Sequence, residues 1–177
     1  RDELSLAEVL EDYHSAFIGK WHIGGHGSKG YQPSDQGFEE LMYWDAPGSV
    51  YFDWKDEWLA PFGRANSKYA RYKDVPRRAN TDFVTGNIGE ETGKEYLTDD
   101  MAAQAVNFIN KRAMIKDEPF FLYFCHFAVH TPLQGREQDM EYFENKESKG
   151  WNNHVSSVYA SMVKSLDESV KYFLCGP

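Results

Sequence analysis

The run Phe-Phe-Leu-Tyr-Phe-Cys at residues 120–125 constrains the fold more than any other segment. It follows Pro119 and carries no polar alternation, so it reads as a strand buried on both faces. A strand of that kind needs a neighbour. The matching candidate is the short apolar segment Ser-Ala-Phe-Ile-Gly at 15–19, far upstream. Two such strands with helices between them predict a parallel pair in an α/β sheet. Two strands alone are too few for a free-standing parallel sheet.

The helices are legible from apolar spacing. Leu4, Leu6, Val9, Leu10 and Tyr13 recur with helical period behind a Ser5/Glu8 capping box, predicting a short helix to about Tyr13. Thr98 reads as an N-cap ahead of Asp99 and Asp100, whose charges suit a helix N-terminus. Met101, Ala105, Phe108 and Ile109 continue that helix to about Lys116. A last helix of about five turns carries Val155, Val158, Tyr159, Met162, Leu166, Val170 and Phe173 on one stripe. Residues 20–38 are rich in Gly and polar side chains and read as loop. Residues 41–95 are dense in aromatics without a period, predicting long loops with one small hairpin at most.

Composition narrows the function classes. Nineteen Lys and Arg against 28 Asp and Glu give a net charge of −9, which argues against a general nucleic-acid binder. Aromatics at 16% exclude wholesale disorder. No apolar run approaches the roughly 18 residues of a membrane helix. Two cysteines, Cys125 and Cys175, exclude a disulfide-built scaffold and a Cys-rich zinc module and leave the redox compartment open. The chain opens on Arg1, inside an apparent helix, and is expected to be a piece of a longer protein.

Three constellations could carry chemistry. Gly25-x-Gly27-x-x-Gly30 matches a dinucleotide fingerprint, but that motif needs a helix opening at its third glycine. Tyr31-Gln32-Pro33 follows instead, so the loop reading prevails. His126-x-x-x-His130 has metal-ligand spacing for a helix, yet it sits at a strand exit before Thr131-Pro132, where a helix is disfavoured. A packed His126 beside a functional His130 fits better. Lys20 and His22 flank Trp21 just past the carboxyl end of the first strand, the edge where open α/β sheets bind ligands. His130 stands at the equivalent exit of the second strand. Lys, His and His from two strand ends make a site for an anionic ester. The cation would neutralise oxygens, and an imidazole would protonate the leaving alkoxide.

At these residues the sequence resembles the type I sulfatases. LAEVLEDYHSAFIGKWHIG followed by QPSDQGFEEL is similar to that family's second signature. EYLTDDMAAQAVNFINK, PFFLYFCHFAVHTPLQ and YASMVKSLDESV resemble its next helix, buried strand, His-Thr-Pro turn and helix, in the same order. The resemblance covers roughly half the chain and leaves 41–95 unmatched. It implies a partial alkaline-phosphatase-like α/β fold, with residues 1–177 part of a sulfatase catalytic domain. It also implies hydrolysis of sulfate esters by a formylglycine nucleophile and a bound Ca²⁺. Lys20 would bridge the formylglycine hydroxyl and a sulfate oxygen, His22 would hydrogen-bond the formylglycine diol, and His130 would contact the sulfate or act as general acid. Lys20 and His130 would thus also bind substrate, a sulfated small molecule or glycan.

The departures from the family pattern are equally specific. Neither Cys125 nor Cys175 stands in the C-x-[PA]-x-R context of the nucleophile. The early Asp-Asp and late Asp-Asn segments that hold Ca²⁺ are absent, and Asp99-Asp100 reads as a helix start. No metal ligands are therefore assigned, and the chain alone is expected to be inactive. Its apolar faces, built for a larger sheet, are expected to promote self-association. Two rival readings remain: a phosphate or phosphonate ester hydrolase of the same superfamily, and a non-catalytic carbohydrate-binding module using Trp44, Tyr51, Trp54, Trp58 and Tyr69. For these aromatics, loop packing is the stronger reading.

Overall fold

In the computed structural model, residues 3–23, 30–42, 51–52, 94–148 and 150–175 are described. Strand β1 (His14–Gly19) lies at the centre of a three-stranded sheet, between β2 (Glu40–Met42) and β3 (Phe120–Cys125). Both pairings are parallel. Phe17 is opposite Leu41 on one side and Tyr123 on the other, and Gly19 is opposite Cys125. The expected pair of strands is therefore present as neighbours with both carboxyl ends on one edge. The sequence gives no signal for β2, because its three residues, Glu-Leu-Met, carry no period that separates them from loop.

The sheet has two differently furnished faces. On one, Phe17, Trp21, Phe38, Phe121 and Tyr123 form an aromatic cluster with ring centroids 5.1–6.3 Å apart. Helices cover the other. Phe108 of α2 (Leu97–Ala113) meets Phe120 edge-on at 5.5 Å. Phe173 of α4 (Ser157–Cys175) meets Phe124 in the same way at 5.4 Å. A third helix, α3 (Glu137–Glu144), packs on α4. It too went unpredicted, since its residues EQDMEYFE offer little apolar face.

Several expected boundaries shift. The helix α1 is only Leu6–Val9, with its capping box intact: Glu8 N–H donates to Ser5 Oγ at 3.2 Å, and Ser5 N–H to Glu8 Oε2 at 2.8 Å. It ends where Leu10 leaves helical geometry (φ −87°, ψ 57°), and β1 then begins with His14 N–H donating to Pro119 C=O. Its apolar stripe is not a core face either. Leu6 and Val9 are exposed, and Ala7 alone is buried. Tyr96, not Thr98, occupies the N-cap of α2, and Thr98 is buried in the first turn. On α4 the buried positions are Ser161, Met162, Ser165 and Ser169, while Val163 and Val170 face out. Small side chains let this helix lie close against its neighbours. The strand β3 is likewise half-buried, not enclosed, and Tyr123 is 47% exposed.

Three helices are tied by one ion cluster. Arg136, at the N-cap of α3, pairs with Asp99 on α2 at 3.2 Å, Asp139 on α3 at 2.6 Å and Glu168 on α4. Lys164 closes the ring on Asp139 at 2.7 Å and Glu168 at 2.5 Å. These cations hold the carboxyls of Asp139 and Glu168 below their usual range, against the opposing effect of burial. Among the described residues no helix is long and apolar enough to cross a membrane.

Two stability outcomes follow from this packing. Gly19 has φ +118°, and a Cβ there would stand 1.7 Å from the carbonyl oxygen of Cys125. Gly19→Ala should cost about 3 kcal/mol in a denaturant titration of the full-length protein, with the strain concentrated where β1 meets β3. Unchanged stability would contradict that close approach. The second concerns Asp100, which is 1% exposed and whose carboxyl burial pushes up from 3.8 to about 7. A carboxyl raised on folding binds more protons in the native state, so its contribution is fullest below pH 4 and declines as pH rises to about 7. Asp100→Asn should flatten the stability curve between those limits. An unaltered slope would show that Asp100 ionises normally.

Candidate active site

The site is built outward from the carboxyl edge of β1 and β3. Gly19 ends β1 in a conformation open to glycine, and Lys20 N–H then donates to Cys125 C=O at 2.7 Å. That bond fixes where the Lys20 side chain leaves the sheet. Trp21 turns inward. Its ring is edge-on to Phe17 at 5.1 Å, and its Nε1–H donates to Tyr31 C=O at 2.8 Å. Lys20 and His22, on either side of this anchor, stay half-buried and exposed respectively.

Charge at this edge is tuned by partial burial. Burial lowers the pKa of the Lys20 ammonium, opposed by attraction to a Cys125 thiolate. Burial raises the Cys125 thiol, and the Lys20 cation pulls it back. The two groups therefore feel one another across the strand ends. A partly desolvated cation of this kind attracts an anion more strongly than one in open water.

The segment after β3 carries both histidines of the spaced pair, and it is not helical. His126 is half-buried, its Nε2 2.5 Å from Ser169 Oγ and its ring 4.1 Å from Phe124. Burial lowers its pKa to about 4, so the ring is neutral near pH 7. His130 is exposed at the end of a turn closed by its own N–H to Phe127 C=O at 3.0 Å. Its Nδ1 lies 2.6 Å from the Thr131 carbonyl oxygen, which can only accept, so Nδ1 carries a proton and Nε2 is the ring nitrogen outside that bond. The pair thus divides into one packed and one exposed imidazole, not two metal ligands on a helix.

Other sequence candidates sort as follows. Gly30 opens no helix: a 3-10 turn begins at Pro33. Gly25 and Gly27 lie outside the described residues, as do Trp44, Trp54, Trp58 and Tyr69. Tyr51 is described and fully buried, which removes it as a sugar-stacking platform. Among the described residues, no three His, Cys, Asp or Glu side chains gather as a metal cage. Asp99 is engaged by Arg136 and Asp100 is buried in the helix. The described residues therefore do not fit the Ca²⁺ that the resemblance implies. Two open clefts lie elsewhere. One is flanked by Lys94, Asp99 and Arg136, the other by Glu144, Lys146 and His154; neither contains Lys20, His22 or His130. In the first, Arg136 is turned onto carboxylates, so the chemistry favours the strand edge.

Comparison with known proteins agrees with this topology. The sulfatase family model matches residues 1–175. The chain belongs to the sulfatase family. Arylsulfatase G of Rattus norvegicus is 32% identical over 149 residues, covering 75% of this chain. Human N-acetylgalactosamine-6-sulfatase is 27% identical over 170 residues, covering 95% of it. A crystal structure of Ps i-CgsB in complex with k-i-k-neocarrahexaose superposes with a TM-score of 0.57 at 30% identity, over 93% of this chain and 34% of that one. The chain spans only 26% and 28% of the two curated relatives. The fold is accordingly α/β and a part of the alkaline-phosphatase-like architecture, and the family is one of sulfuric ester hydrolases.

The mutual influence of Lys20 and Cys125 is directly measurable. Lys20→Met should raise the Cys125 thiol further and slow its alkylation, while the exposed Cys175 keeps its rate. Equal alkylation of Cys125 in both forms would place the ammonium away from the strand end.

Proposed function

We propose that the protein carrying this chain hydrolyses sulfate esters, and that Lys20, His22 and His130 belong to its active site. One observation carries the reading. In a chain of the sulfatase family, the parallel pairing of Gly19 with Cys125 sends the Lys20–His22 segment and the His130 turn off the same edge of the sheet.

The chemistry available to these side chains is binding and proton transfer. Lys20 neutralises one oxygen of the sulfate, helped by its partial desolvation. His130, with its Nδ1–H tied to the Thr131 carbonyl, presents Nε2 to the ester oxygen; in the doubly protonated imidazolium, Nε2 gives its proton to that oxygen as the S–O bond breaks, leaving a neutral ring with Nδ1–H retained. His22 is the exposed hydrogen-bonding group beside Lys20, suited to hold the nucleophile. The resemblance implies a formylglycine as that nucleophile and Ca²⁺ as a further charge on the sulfate. Neither has a counterpart among the described residues, so Lys20, His22 and His130 are assigned binding, orientation and the proton alone. The substrate class is a sulfated glycan or aryl sulfate, supported by relatives named for arylsulfatase and N-acetylgalactosamine-6-sulfatase activity.

The test uses the full-length protein with matched aryl sulfates and aryl phosphates. Sulfate hydrolysis should dominate. Lys20→Ala should lower kcat/KM about a hundredfold. His130→Ala should lower kcat about a hundredfold, and more for poor leaving groups. Preference for phosphate would replace the sulfatase reading with its phosphohydrolase rival, and wild-type rates in both variants would remove these residues from the site.

A further inference from the structure

Tyr51 comes from the aromatic middle of the sequence, far from both strands, yet it is fully buried against the segment that follows β3. Its phenol lies 2.8 Å from the carbonyl oxygen of Phe127 and 3.0 Å from that of His130. These are the two ends of the turn that His130 N–H closes on Phe127. One O–H proton thus serves both carbonyls and ties the turn shut from outside.

The residue is itself fixed at every other polar atom. Its N–H donates to Gln134 Oε1 at 2.7 Å, and its carbonyl accepts from Leu97 N–H at 2.9 Å, at the start of α2. The ring stacks on Tyr96 at 5.6 Å, and Tyr96 O–H in turn donates to Gln134 C=O at 2.7 Å. Burial holds the Tyr51 phenol well above its ordinary pKa, so it keeps the proton it donates. The His130 backbone is therefore braced by a buried hydroxyl, while the imidazole it carries is exposed.

We propose that Tyr51 is a positioning residue for His130, holding the 127–130 turn so that the imidazole meets the leaving oxygen of the ester. The proposal rests on the assignment of His130 as general acid. Tyr51 touches no reacting atom; it acts through the backbone of the turn. A small displacement of a proton donor is costly because transfer requires near-contact distances.

The experiment is Tyr51→Phe in the full-length protein, which keeps the ring and removes only the hydroxyl. Two measurements are paired. The first is hydrogen exchange, expected to quicken over residues 127–134 with protection in β1 and α2 retained. The second is kcat across aryl sulfates of graded leaving-group acidity. Tyr51→Phe should lower kcat about tenfold for a poor leaving group and hardly at all for a nitrophenyl sulfate, with KM unchanged. Combined with His130→Ala, it should add nothing further. A loss uniform across leaving groups, or a fully additive double variant, would overturn the proposal, because a general loosening of the fold would not single out proton transfer. Unchanged exchange at 127–134 would overturn it as well. Should the wild-type protein hydrolyse no sulfate ester, the functional reading falls, and the exchange result alone decides the tether.

Discussion

The parallel pairing of β1 with β3 is the contact on which the rest depends. Its register runs from His14 opposite Phe120 to Gly19 opposite Cys125, and it continues one residue further through the Lys20 N–H bond to Cys125. Where those two strands stop sets where the Lys20–His22 segment and the 126–130 segment leave the sheet. A shift of one residue would turn Phe17 and Tyr123 to opposite faces and break up the aromatic cluster, so the register is strongly specified. The closure at Gly19 is tight enough to exclude any Cβ.

The helices answer a different problem, that of polar groups drawn into a packed interface. The buried face of α4 is largely serine, and its hydroxyls are not left idle. Ser161 donates to Arg136 C=O and Ser165 to Ser161 C=O, while Ser169 meets His126. Beside them, Arg136 and Lys164 share three carboxylates on three helices. Asp139, the most buried of these carboxylates, is held by both cations, so loss of either one leaves it a partner, and the exposed Lys164–Glu168 pair adds little to stability by itself. The cluster links α2, α3 and α4 through charged side chains.

Much of this is legible in the sequence, for reasons that can be named. The strand at 120–125 and the capping box at Ser5 are local signals, set by side chains within a few residues. His126 and His130 can be told apart because Thr131-Pro132 disfavours a helix. Other features have no local signature. The strand β2 is too short to show alternation, and α3 has too little apolar surface. On α4 the longest side chains suggest the core face, while close packing places small ones there. Tyr51 is one aromatic among many until its burial beneath the His130 turn is seen.

Local patterns alone specify β1, β3, the capping box of α1, the helical character of α2 and α4, and the GKWH and His-Thr-Pro segments, and through those segments the sulfatase family. They can do so because in them neighbouring residues impose one backbone conformation. Folding adds the pairing of β1 with β2, the buried side of each helix, and the tyrosine that braces the His130 turn. Those outcomes depend on pairings between residues distant along the chain, such as Tyr51 with Phe127 and Arg136 with Glu168. No local pattern encodes such pairs, because the desolvation and contact that select them exist only once the chain has closed.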